Sequence, residues 1–285
     1  MEPTNKEPTF CYLVMNELRC LDYINNLYEY IIDYYDADII ICCQDLPGKQ
    51  SDIELFDRKV VYKEKYTKPD PYEWYAGCSS VRVHSNNWNI PACLQLYINM
   101  DKMADVVEKF KDKYDYFIMT RTDIKIIFPY PDKHFFGKIP PGMYSYDAHY
   151  ARIWGGFHEY GFVHKDLIIP ALRTANYLIK NVINQQDVSS YNGERFTAFC
   201  LNHANIKKNY INGLNFYFIA HDENTHTSWG MIKFYPPANC YVKYTTSVDE
   251  VNHNNSLWEK GYRWSFDSKL NCFNLTLPPV IPTLL

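Results

Sequence analysis

Residues 114–127 read Tyr-Asp-Tyr-Phe-Ile-Met-Thr-Arg-Thr-Asp-Ile-Lys-Ile-Ile, and the fold turns on this stretch. Tyr116 to Met119 is a strand-length run of the kind that is buried on both faces, and polarity arrives abruptly at Thr120. In open α/β sheets ligands bind beyond the carboxyl ends of the parallel strands, which is where Arg121 and Asp123 then fall. Residues two apart in an extended chain point the same way, so guanidinium and carboxylate can face one ligand. One use of that arrangement is a hard divalent ion held by the carboxylate and bridged to a diphosphate. The other is an Arg–Asp pair at an exposed strand end, worth little. The two residues alone leave both readings open.

Working outward, residues 91–110 form the clearest helix: Pro91 opens it, and Cys93, Tyr97, Met100, Ala104, Val107 and Phe110 make one apolar stripe that must pack on the sheet. Farther upstream, Phe10 to Met15 and Asp38 to Cys43 are apolar runs of strand length. Between them Leu21, Ile24, Leu27, Ile31 and Tyr35 fall on one helical stripe. The chain thus opens as a βαβ unit, with Lys59 to Tyr62 as a third strand and a loop rich in Pro, Tyr and Asn over 67–89. Downstream, 137–142 is a Gly- and Pro-rich connection, 165–184 and 193–203 read as helices, and Phe216 to Ala220 as a strand. Beyond Pro236 the pattern is loop-like. The expectation is a single α/β domain over 1–285: a mixed, mostly parallel sheet flanked by helices, with an irregular C-terminal extension over about 236–285. Residues 10–130 would form a nucleotide-binding half and 131–235 an acceptor-side half.

Composition narrows the function. The chain has 285 residues, 47% hydrophobic and 22% charged, and needs neither disulfides nor disorder to account for it. With 29 basic against 33 acidic residues its charge of −4 does not suit a protein whose affinity comes from neutralising many phosphates, so no nucleic-acid partner is expected. Nine cysteines without a Cys-x-x-Cys pair, several inside apolar runs, read as small hydrophobes in a reducing compartment. No apolar stretch reaches the roughly 18 residues of a membrane span, and residues 1–9 lack a signal-peptide core, so a cytoplasmic protein is expected. Asn254 and Asn274 head Asn-x-Ser/Thr triplets that read as chance matches. Tyr, at 26 residues, is abundant. That abundance fits AT-rich coding, or flat amphipathic rings that stack on sugars or bases.

Several motifs are excluded. The first strand runs into Asn16, Glu17, Leu18 and Arg19 where a dinucleotide turn needs Gly-x-Gly-x-x-Gly, no Walker lysine occurs, and no Gly-x-Ser-x-Gly elbow is present. His158 and Glu159 begin like a zinc-protease helix, but the second His position is Phe162.

The order helix, Tyr-Asp-Tyr-Phe-Ile, Arg-Thr-Asp-Ile, then an apolar run closed by Pro129 resembles the GT-A-like nucleotide-sugar glycosyltransferases of large DNA viruses, notably chloroviruses, and of algae and plants. The likeness covers roughly residues 10–210 as an ordered set of short motifs. It implies a GT-A-like fold and a glycosyltransferase that moves a sugar from a UDP-sugar to a hydroxyl of a glycan or glycoprotein acceptor, in a viral setting a capsid protein. It also implies Mn²⁺ or Mg²⁺ on the donor diphosphate, held by Asp123 in a reduced Asp-x-Asp signature. Arg19, in Glu-Leu-Arg-Cys, is similar to the family's arginine at the turn after the first strand. With Asn16, Arg121 and Trp88 it would contact nucleotide, phosphates or base. Glu159 stands where the family has an Asn-Asp-aromatic segment, and Glu194 resembles a Glu that opens a later helix; either is a candidate general base. Glu194 equally suits a helix N-terminus without any chemistry. His221, after a predicted strand, is a candidate further metal ligand or part of an ordinary polar loop. The chain departs from the pattern in lacking an Asp two residues before Asp123 and in carrying Glu at 159. A noncatalytic nucleotide- or sugar-binding module of the same fold is the alternative function.

Overall fold

The computed structural model describes residues 7–16, 21–45, 53–76, 90–146, 161–181, 193–220, 232–243 and 247–278. The first three strands are β1 (Phe10–Asn16), β2 (Asp38–Gln44) and β3 (Val60–Tyr66), followed by β4 (Tyr116–Met119), β5 (Ile124–Ile126), β6 (Met143–Tyr146) and β7 (Gly161–His164). The remainder are β8 (Lys208–Asn212), β9 (Phe216–Ala220), β10 (Lys233–Tyr235), β11 (Cys240–Val242), β12 (Arg263–Asp267) and β13 (Cys272–Thr276). Nine of them make one sheet in the order β12-β13-β8-β6-β7-β4-β1-β2-β3, and four make a second in the order β10-β11-β9-β5. In the large sheet β1 runs parallel to both β2 and β4, and β2 to β3. The β6–β8 and β8–β13 pairings are also parallel, while β4–β7, β6–β7 and β12–β13 are antiparallel. The expected mixed, mostly parallel sheet flanked by helices is therefore what the chain forms.

The apolar runs are continuous because both faces of the central strands are covered. Phe10, Tyr12 and Val14 of β1 and Ile39, Ile41 and Cys43 of β2 enter one core, whereas Cys11, Leu13, Ile40 and Cys42 enter the other. The second core is roofed by the Ile90–Val107 and Lys165–Asn181 helices, whose Tyr97, Met103, Ala104, Leu172 and Leu178 are buried in it. The first core is closed by residues 21–35, which alternate 3₁₀, α and π geometry and end at Asp36 in the left-handed region (φ 53°). Leu27, Ile31 and Tyr35 point inward as their spacing predicts. Six cysteines, Cys11, Cys42, Cys43, Cys200, Cys240 and Cys272, are free and buried, as small hydrophobes would be. Burial pushes the Cys43 thiol up to about 11.

The C-terminal part corrects the expectation of an irregular extension. Residues 248–259 form a helix (Val248–Glu259), and β12 and β13 form a hairpin whose second strand lies parallel to β8, so residues 263–276 are built into the main sheet. Phe273 of β13 is fully buried against Phe135, Phe136, Tyr144 and Phe266. The two Asn-x-Ser/Thr triplets lie inside this structure: Asn254 is buried and donates to the Leu214 carbonyl, and Asn274 accepts from Asn212. β3 runs to Tyr66, four residues past its expected end.

Two asparagines pin the junction of the sheets. Asn26 donates to the Ile126 carbonyl (2.9 Å) and accepts from the Ile126 amide (2.7 Å), filling the open edge of β5 like a further strand residue. Asn215, fully buried, donates to the Phe128 carbonyl and accepts from the Tyr146 hydroxyl. Gly161 lies where a Cβ would stand 2.1 Å from the Tyr144 carbonyl oxygen, so only glycine lets β7 approach β6 this closely. Among the described residues no helix is long and apolar enough to cross a membrane.

Candidate active site

The polarity that begins at Thr120 marks the place where the chain leaves one sheet for the other. β4 ends at Met119 in the large sheet, and after four residues β5 begins, paired antiparallel to β9 in the small one. Asp123 is the hinge residue: its carbonyl accepts from the Ile219 amide of β9 at 3.0 Å. Its side chain is drawn inward and is 1% exposed.

Three hydrogen bonds converge on that carboxylate. Arg121 closes on it with Nε to Oδ1 at 2.7 Å and Nη2 to Oδ2 at 2.6 Å. Lys243 donates from Nζ to Oδ2 at 2.5 Å. Lys243 follows β11 directly and is itself 6% exposed; its amide donates to the Phe218 carbonyl, which fixes its backbone beside β9. Burial alone would raise the carboxyl's pKa. The Arg121 guanidinium first, and the Lys243 ammonium second, outweigh that and hold Asp123 well below the usual carboxylate range. Arg121 is the outer member, its side chain one-third exposed (33%).

This geometry bears on the two readings of Arg-x-Asp. The pair reading is the observed one, but its strength differs from that of a surface pair because the carboxylate is buried and shared with a second cation. The residues do not fit the metal reading: a cation on Asp123 would have to displace Lys243 or Arg121. Among the described residues no three His, Cys, Asp or Glu side chains come together as a metal would need. Asp123 therefore anchors two positive groups and is not an open ligand.

Around this triad lie the ends of the parallel strands. Asn16 ends β1 and Gln44 ends β2, the neighbours of β4 on that side. Gln44 and Gln95 each donate to the Asn99 Oδ1 at 3.0 Å, and the Tyr66 hydroxyl, at the end of β3, donates to the same oxygen. Gln44, Gln95 and Asn99 are buried. No local motif marks this amide cluster in the sequence, because Gln95 and Asn99 lie in a helix and Gln44 at a strand end. Lys243 was missed for the same reason.

The other predicted residues are placed less fully. Glu194 is the second residue of the Gly193–His203 helix, in its first turn as expected, and Asn16 is the last of β1; the side chains of both lie outside the described residues, as do Arg19, Trp88, Glu159 and His221 entirely. Of the predicted set, the structure brings together Arg121 and Asp123.

No family model matches the chain. No curated protein matches it either. Among solved structures it is similar to the mannosyltransferase Ktr4p from S. cerevisiae in complex with GDP, at 11% identity and a TM-score of 0.33. That match covers 72% of this chain and 66%, just under two thirds, of the mannosyltransferase.

Proposed function

We propose that the chain is a glycosyltransferase that takes a sugar from a nucleoside diphosphate donor, a UDP-sugar in the reading its sequence supports, and passes it to a hydroxyl of a glycan or glycoprotein. The observation that carries this reading is Arg121, held on a buried carboxylate at the carboxyl edge of a parallel strand with the ends of β1 and β2 beside it. A diphosphate leaving group gathers negative charge as its bond to the anomeric carbon breaks, and a pre-oriented guanidinium stabilises that charge at no reorganisation cost during the reaction. Glu194, at the start of its helix, takes the acceptor hydroxyl's proton in an inverting displacement. The acceptor oxygen then bonds to the anomeric carbon as the diphosphate departs. In the viral setting that the sequence resembles, the acceptor is a capsid glycoprotein and the reaction takes place in the host cytosol.

The test is a panel of UDP- and GDP-sugars assayed for nucleotide release, with and without simple sugar acceptors. Preferential hydrolysis of one donor supports the reading, and loss of that hydrolysis in Arg121→Ala ties it to this site. Nucleotide binding with no turnover of any donor would instead leave the noncatalytic module. A chain that binds no nucleotide and cleaves no donor sinks both.

A further inference from the structure

We infer that this chain holds its donor diphosphate without a divalent ion, with Arg121 as the charge that meets the anion and Lys243 as the buried cation that replaces the metal, both positioned by Asp123. The inference rests on the glycosyltransferase reading above and departs from the divalent ion that the sequence resemblance implies.

Three observations lead here. First, Asp123 has two oxygens and accepts three hydrogen bonds from two cations, at 2.7, 2.6 and 2.5 Å. A carboxylate offers about four lone-pair positions, so little remains to coordinate a metal, and an arriving dication meets two positive groups already within contact distance. Second, burying lysine is costly unless it is paired, and Lys243 is nine-tenths buried in this one place. Its position is not loose: the Lys243 amide is bonded to Phe218, the Asp123 carbonyl to Ile219, and β9 thus sets the two side chains against each other. Third, of the two cations on Asp123 the outer one is Arg121, its side chain one-third exposed, while Lys243 lies buried behind it. By sharing Asp123, Lys243 keeps that carboxylate from cancelling the guanidinium's charge. A divalent ion on a carboxylate pair does the same electrostatic work, offsetting carboxylate charge beside the diphosphate.

The experiment measures binding of UDP, GDP and inorganic pyrophosphate to the full chain by calorimetry, once in a chelator and once with Mn²⁺. Electron paramagnetic resonance of Mn²⁺ runs alongside to detect ion taken up by the protein. The expected result is binding of at least one of these anions with the same affinity in both conditions, and a free-ion Mn²⁺ signal that the protein leaves unaltered. Lys243→Ala should weaken that binding by about tenfold or more while leaving uridine and guanosine affinity alone, and Lys243→Arg should restore it. Should Lys243→Ala fold poorly, Lys243→Gln serves the same comparison. Binding that appears only with Mn²⁺, accompanied by loss of the free-ion signal, overturns the inference while the glycosyltransferase reading survives. Metal-free binding that Lys243→Ala and Lys243→Gln leave unchanged also overturns it. No binding of any of the three anions in either condition removes the glycosyltransferase reading and the inference with it.

Discussion

Replacing Asp123 with alanine strips the shared carboxylate from two cations of very different exposure. Arg121, one-third exposed, can turn to water, so its lost pairing costs little. Lys243, 6% exposed, cannot, and it is left as an uncompensated buried charge. Removing one partner of a buried ion pair costs about 3–5 kcal/mol. At roughly 2–4 °C per kcal/mol for a domain of about this size, Asp123→Ala should melt on the order of 10 °C below the parent chain. Lys243→Met leaves Asp123 on Arg121 and should cost only about 1–2 kcal/mol. The double variant Asp123→Ala with Lys243→Met removes the stranded charge and fills its place with an apolar chain, so it should be more stable than Asp123→Ala alone. Thermal melts of the four proteins followed by circular dichroism read the cycle directly. If the double variant instead loses the sum of the two single losses, Asp123 and Lys243 are not coupled and the electrostatic account of the site is wrong.

Acidity at Asp123, the close approach of β7 to β6 and the edge of β5 give three further predictions. Because the folded state holds the Asp123 carboxyl below its ordinary value of about 4, its stabilising contribution is complete above that pH and drains away as pH falls through the lower folded value; acid melts below about pH 4 should therefore show the parent converging on the Asp123→Ala, Lys243→Met double variant. Gly161→Ala forces a methyl against the Tyr144 carbonyl at 2.1 Å, and chemical denaturation should show a loss of about 1–3 kcal/mol or more, whereas an unchanged midpoint would mean β7 and β6 can part freely. Asn26→Ala leaves the amide and carbonyl of Ile126 without their partner and should cost about 1–3 kcal/mol, with faster hydrogen exchange at the Ile126 amide as the local signature.

The elements legible in the sequence are those whose burial is simple. β1, β2, β4 and β9 are buried on both faces and read as unbroken apolar runs, and the Lys165–Asn181 helix shows its stripe of Ile168, Leu172, Ala175 and Ile179 plainly. The C-terminal part was not legible because its elements bury so little of themselves. In the Val248–Glu259 helix only Val251 and Asn254 are buried, and β12 sits at the sheet edge with Trp264 as its one buried side chain. Its partner β13 gains its meaning from β8, some sixty residues earlier. The site divides the same way. Arg121 and Asp123 are two apart, and strand geometry alone puts them on one side. Lys243 is 120 positions from Asp123, and no local pattern announces a lysine that will be buried. At Asp123 the sequence shows the carboxylate and hides the lysine that contacts it.

The β12–β13 hairpin also bears on how the molecule is made. Phe273 completes an aromatic cluster in which Phe135, Phe136 and Tyr144 are translated much earlier. At roughly 5–20 residues per second a nascent chain spends on the order of ten seconds with those rings uncovered and with one side of β8 lacking a strand. Throughout that interval the growing polypeptide carries a sticky apolar flank and an open hydrogen-bonding rim, the two features that holdase chaperones shield and that neighbouring ribosomes' products can invade.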